Sequence, residues 1–134
     1  MYHGTFAEFE KFELKKGLGI HVGTLEQAQK RIADMLHSKT KQPTTPPVLY
    51  EVSITINRPL RLRDTGWHDV FMVRKRLVEF GIIANDEQLT FPQMRAAIQK
   101  QGYDGVVYRN EIEADKKDSY IVFDPTQIKI IRKL

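Results

Sequence analysis

Two acidic residues and two histidines stand out as side chains whose setting could support chemistry. Glu111 and Glu113 lie in NEIEADKKD, between an apolar run of Val106, Val107 and Tyr108 and a second run of Tyr120, Ile121, Val122 and Phe123. A carboxylate pair held by flanking strands at a cleft rim is either the working part of a site or a solvated turn. His3 is followed by Gly4 and Thr5, where a glycine permits close backbone approach to a ligand or a tight bend. His21 sits between Gly19 and Gly23, and either lines a site or supplies ordinary strand polarity. The chain has no cysteine, so disulfide and thiolate chemistry are excluded, and its four histidines lack metal-ligand spacing. No metal is expected.

The elements that must position these groups are legible from periodicity. Residues 1–5 form an entry strand, and Gly19–Gly23 a second. Thr24 and Gln27 then make a capping box that opens a helix running to about His37, with Leu25, Ala28, Ile32, Met35 and Leu36 on its apolar face. SKTKQPTTPP is an exposed, Pro-rich loop, and Phe6, Phe9 and Phe12 are core anchors at three-residue spacing. Val48, Tyr50, Val52, Ile54 and Ile56 alternate with more polar residues, the pattern of a strand buried on one face. Leu60 and Leu62 continue it briefly after Pro59. Trp67–Phe80 reads as a second helix, and Thr90 with Gln93 opens a third that ends at Gly102. The two apolar runs after Gly102 are strands, and Gln127–Leu134 closes the chain as a basic edge strand. The order predicts an α+β fold with a largely antiparallel sheet and about three helices packed beside it.

Bulk properties restrict the setting. A length of 134 residues predicts a single domain, 1–134, and 41% hydrophobic content predicts a globular core. No apolar run approaches the roughly 20 residues that span a bilayer, and the basic-then-apolar order of a signal peptide is lacking. The expectation is a soluble, cytoplasmic protein with no membrane partner. A net charge of +4 suits an anionic partner such as a nucleotide, nucleic acid or acidic protein surface, but the basic residues are dispersed as on a solvated surface.

YHGT at 2–5, GLGIHVGT at 17–24 and GYDGVVYRNEIE with DSYIVFDPTQIK across 102–129 together resemble the sequence blocks of the ADP-ribosyltransferase superfamily. The similarity is closest to small phage and bacterial members with a His-Gly-Thr opening, and more distant to poly(ADP-ribose) polymerase and diphtheria-toxin-type domains. It covers both ends of the chain well and residues 25–100 poorly. The resemblance implies a split, two-sheet core that binds NAD as a substrate. It implies cleavage of the bond between nicotinamide and ribose, and transfer of ADP-ribose to a protein or nucleic acid of a bacterial host or phage, as a toxin or effector would do. A fixed carboxylate stabilises the positive charge that develops on the ribose, a demand shared with glycoside hydrolysis.

Carried onto this sequence, His3 is expected to hydrogen-bond a ribose hydroxyl, Gly4 to meet the nicotinamide carboxamide, and Thr5 to support the strand end. His21 falls where relatives place a tyrosine or another polar residue. Asn110 and Ser119 complete the expected NAD-contacting set with Tyr2 and Tyr120, and Tyr2, Tyr108 and Tyr120 either stack on nicotinamide or pack in the core. Arg31 either pairs with the pyrophosphate or is an ordinary surface residue. The polymerase-like pattern has a glutamate where this sequence has Ser119. The phage-like pattern places the acid after the preceding strand, and Glu111 and Glu113 share one face if the chain stays extended. Glu113 is therefore the expected catalytic carboxylate, with Glu111 and Asn110 assisting and His21 placed in the catalytic set. The alternatives are a catalytically inactive module of the same fold that binds protein or nucleic acid, and an NAD glycohydrolase with water as acceptor.

Overall fold

The computed structural model describes residues 1–5, 17–37, 46–67, 69–85, 88–111 and 117–134. They form two sheets and three α-helices: β1 (Tyr2–Thr5), β2 (Ile20–Val22), α1 (Leu25–Leu36), β3 (Val48–Ile54), β4 (Pro59–Arg61), α2 (Val70–Glu79), α3 (Phe91–Lys100), β5 (Gly105–Arg109), β6 (Asp118–Val122) and β7 (Ile128–Lys133). One sheet has the order β1-β3-β7 and the other β2-β6-β5-β4. Every strand pair is antiparallel except β4 with β5. This is the split, largely antiparallel α+β architecture expected. Phe6, Phe9, Phe12, His68, Glu113 and positions 38–45 of the Pro-rich loop lie outside the described residues.

A backbone bridge joins the sheets, where Tyr2 N–H donates to Gly23 O at 2.8 Å and Gly23 N–H donates to Tyr2 O at 3.0 Å. Strand alternation then builds two cores. Ile20, Val22 and Val122 from one sheet meet Tyr50, Val52 and Ile128 from the other. On the opposite face of the four-stranded sheet, Leu60, Val106, Tyr108 and Ile121 pack with Val73 and Leu77 of α2 and with Met94 and Ile98 of α3. Full burial of such side chains is worth about 1.5–3 kcal/mol each before entropy is subtracted. The four-stranded sheet is therefore covered on both faces.

Local chemistry sets the helix limits. Thr24 and Thr90 cap α1 and α3, each with a reciprocal glutamine three residues later. The second helix starts at Val70, three residues after the expected Trp67, because the Asp69 carboxylate accepts from Phe71 N–H and Met72 N–H and so caps it. Trp67 is buried ahead of the helix. The apolar stripe expected on α1 is only partly covered: Ala28 is buried, whereas Met35 and Leu36 are exposed. Leu60 belongs to β4, a strand of the other sheet, and does not extend β3. Among the described residues no helix is long and apolar enough to cross a membrane.

Candidate active site

The junction of the two sheets opens into a small cleft. Tyr2, His3 and Gly4 of β1 form one wall, His21 and Val22 of β2 with Gly23 another, and Tyr108 and Ser119 the floor. Gln27, Ala28 and Arg31 of α1 close it. The helix comes this near because β1 carries a glycine: a Cβ on Gly4 would stand 2.7 Å from the Ala28 carbonyl oxygen and 3.0 Å from Ile32.

The two histidines meet in the cleft. His3 Nδ1 lies 2.7 Å from the His21 carbonyl oxygen. That oxygen can only accept, so the proton sits on Nδ1, and in the neutral ring Nε2 is the acceptor nitrogen. The His21 ring approaches the Tyr108 hydroxyl, Nδ1 to Oη 3.3 Å, and neighbours Trp67, whose ring centroid is 6.5 Å away. Trp67 and Tyr108 in turn pack at 4.8 Å. Burial, with the nearby charges of Arg31 and then His3, lowers the His21 pKa to about 3. His21 is thus a neutral hydrogen-bonding group at physiological pH and carries no charge for binding a phosphate.

Behind the cleft floor runs a polar network. Asn110 Nδ2 donates to Ser119 Oγ at 3.1 Å, and Ser119 Oγ donates to Gln27 Oε1 at 2.6 Å. All three side chains are buried. Ser119 replaces the polymerase-like glutamate with a small, fully hydrogen-bonded hydroxyl.

The structure therefore brings Tyr2, His3, Gly4, His21 and Ser119 together, with Asn110 one hydrogen bond behind. Thr5 ends β1 opposite Val48, away from the cleft lining. Tyr120 points to the other face of its strand, where it packs on the core between the sheets. Glu111 borders a separate groove with Arg61, Arg63 and Arg109, and Glu113 is outside the described residues. Arg31, exposed on α1, does reach the cleft. Gln27 and Trp67 were not among the expected site residues. Gln27 was masked by its role as a helix cap, and Trp67 by its position at the head of an apolar helical pattern. Among the described residues no three His, Asp or Glu side chains converge as metal ligands.

Two largely antiparallel sheets joined at a His-Gly-Thr strand, with a cleft at the junction, match the ADP-ribosyltransferase core implied by the sequence blocks. The chain belongs to the ADP-ribosyltransferases of polyvalent proteins: the family model described as "ADP-Ribosyltransferase in polyvalent proteins" matches residues 1–133. No curated protein and no solved structure gives a significant match.

Proposed function

We propose that the chain uses NAD to mono-ADP-ribosylate a protein or nucleic acid in a bacterial cytoplasm. The observation that carries this reading is the meeting of His3 and His21 across the sheet junction, inside a cleft that also holds an arginine and an aromatic ring. The donors suit the parts of NAD. His3 and the polar floor at Ser119 fit ribose hydroxyls, the backbone at Gly4 fits a carboxamide, and Arg31 on the rim fits a phosphate pair. In the reaction the bond between nicotinamide and ribose breaks. Nicotinamide leaves with the electron pair as a neutral amide, and an acceptor nucleophile bonds to the ribose carbon and gives up its proton. Glu113 is assigned the stabilising carboxylate and Glu111 the acceptor side, because Glu111 borders a separate groove lined by arginines.

Nicotinamide release from NAD, measured with and without a cell lysate, tests this. Lysate-dependent release with labelled ADP-ribose on a macromolecule supports the transferase. Equal release without lysate makes the protein a glycohydrolase. No release from the folded protein in either case overturns both and leaves the silent binding module, which Ser119 in the polymerase-like acidic position favours. Glu113→Gln is expected to abolish turnover and Glu111→Gln to change acceptor use. Full activity of Glu113→Gln would remove Glu113 from its assigned role.

A further inference from the structure

The connection between β5 and β6 contains both glutamates, and its two ends are held from outside the hairpin. Asn110 N–H donates to the Lys117 carbonyl oxygen at 3.0 Å, which closes the connection on itself. Gln27 Nε2, from α1, donates to that same oxygen at 2.9 Å. Its other amide atom, Oε1, accepts from Ser119 Oγ, and Ser119 Oγ accepts from Asn110 Nδ2. Four groups thus form a closed ring of hydrogen bonds: Asn110, Ser119, Gln27 and Lys117. Gln27 is 1% exposed, and Asn110 and Ser119 are 3% exposed. A satisfied buried network of this kind specifies one geometry, since any displacement strands a polar atom away from water.

The choice of side chain separates this role from capping. Gln27 Oε1 also accepts from Thr24 N–H at 3.0 Å, completing the capping box. A glutamate would serve a capping box equally well, yet it has no N–H to offer Lys117. Glycine 23 points the same way, for a Cβ there would collide with Gln27 Oε1 and stand 3.2 Å from Ser119 Oγ. The chain therefore keeps both a donor at residue 27 and the space for its amide.

We infer that Gln27 is a positioning residue that ties α1 to the β5–β6 hairpin at Lys117 and Ser119 and so fixes the base from which the connection carrying Glu111 and Glu113 departs. This rests on the proposed transferase reading, with the carboxylate supplied from that connection. Gln27→Glu in the full chain is the direct test, because it retains the cap and the Ser119 acceptor and sets a carboxylate oxygen against the Lys117 carbonyl. Gln27→Met, close in volume and without polar atoms, guards against a folding defect caused by a buried charge. In both variants kcat for nicotinamide release should fall by about 10- to 100-fold, the scale of a misplacement near 1 Å, with KM for NAD nearly unchanged. Amide exchange across 110–118 should accelerate by about tenfold, as for one lost hydrogen bond, while exchange in α3 stays the same. Wild-type kcat in folded Gln27→Glu, or a raised KM at constant kcat, would overturn the inference and make Gln27 a cap or a direct NAD contact. If the wild-type chain releases no nicotinamide, the transferase reading fails by itself. The exchange measurement then decides the clamp, and unchanged exchange in both variants removes it.

Discussion

The two sides of the four-stranded sheet treat polar atoms in opposite ways. On the β2 and β6 side, Gln27, Asn110 and Ser119 are buried and joined by hydrogen bonds of 2.6–3.1 Å that include the Lys117 carbonyl. On the β4 side a groove of about 570 Å³ is lined by arginines and acids. Arg61 pairs with Asp118 at 2.6 Å and Arg109 with Glu111 at 3.8 Å through largely exposed side chains, and Arg76 pairs with Glu79 at 2.9 Å. Asp64 Oδ1 and Arg76 Nε, buried there, have no hydrogen-bond partner among the described residues. The first region spends its polar atoms on fixing backbone positions, and the second leaves charge facing solvent. The β5–β6 connection touches both, since Asp64 Oδ2 accepts from Glu111 N–H at 2.8 Å. Under the proposed function the first side would take NAD and the second the acceptor.

Ser119→Glu breaks the contrast most severely. It restores the residue of the polymerase-like pattern, but at a buried position already hydrogen-bonded on two sides. An unpaired buried carboxylate is expected to cost about 3–5 kcal/mol, read as a fall in the urea midpoint. A loss below about 1 kcal/mol with increased nicotinamide release would mean that the cleft accepts a carboxylate at 119, and would weaken the assignment of Glu113. Gly23→Ala comes next, since the added methyl displaces Gln27 Oε1 without deleting a polar group. Overpacking of this kind costs about 1–3 kcal/mol. The variant should lose kcat as Gln27→Glu does, and full activity with normal stability would show that the amide has another place to go.

How much of this was legible in the sequence divides along the same line. The β-branched runs at 106–108 and 120–123 and the alternation from Val48 revealed their strands, because burial on defined faces imposes those patterns locally. Capping boxes at Thr24 and Thr90 were legible for the same reason, whereas Asp69 was passed over because Trp67 prolonged the apolar pattern backward. The parallel partner of β4 lies 46 residues away, Pro59 opposite Gly105, and nothing in PLR specifies it. Gln27 is the sharpest case. Its local role as a cap fully accounted for its presence, so its bond to Lys117 became visible only once the chain was folded. His3 and His21 were found through motifs, but their link runs through a backbone carbonyl that no side-chain pattern encodes.

His21 gives a pH-dependent effect on the β2 side. With its folded pKa near 3 and an unfolded value near 6.5, the unfolded chain binds the extra proton between those limits. Stability should therefore fall as pH drops below about 6.5, by up to about 1.4 kcal/mol per pH unit from this residue. Urea unfolding of wild type and His21→Gln at pH 7, 6, 5 and 4 isolates the contribution, and the difference between them should shift steadily toward the variant. A constant difference would mean that His21 titrates alike in both states. The pH profile of turnover should also carry no His21 limb between pH 5 and 8.

Arg61→Ala should have the least effect and is the most informative about the β4 side. Arg61 donates twice to the Asp118 carboxylate, at 3.1 and 2.6 Å, and that hydrogen bonding holds the Asp118 carboxyl below its usual range. The sign is that of a stabilised carboxylate: the contribution is present above the unfolded pKa and disappears as pH falls through the lowered folded value. Both side chains are more than a third exposed, so solvent screening limits the pair to about 0.2–1 kcal/mol. At neutral pH Arg61→Ala should thus leave stability and acceptor-free NAD turnover near wild type, and alter modification of the macromolecular acceptor alone. A loss above 2 kcal/mol would show that the pair is structural and that both sides of the sheet are rigid. Reduced NAD turnover without acceptor would instead extend the substrate cleft across β5 to the β4 edge.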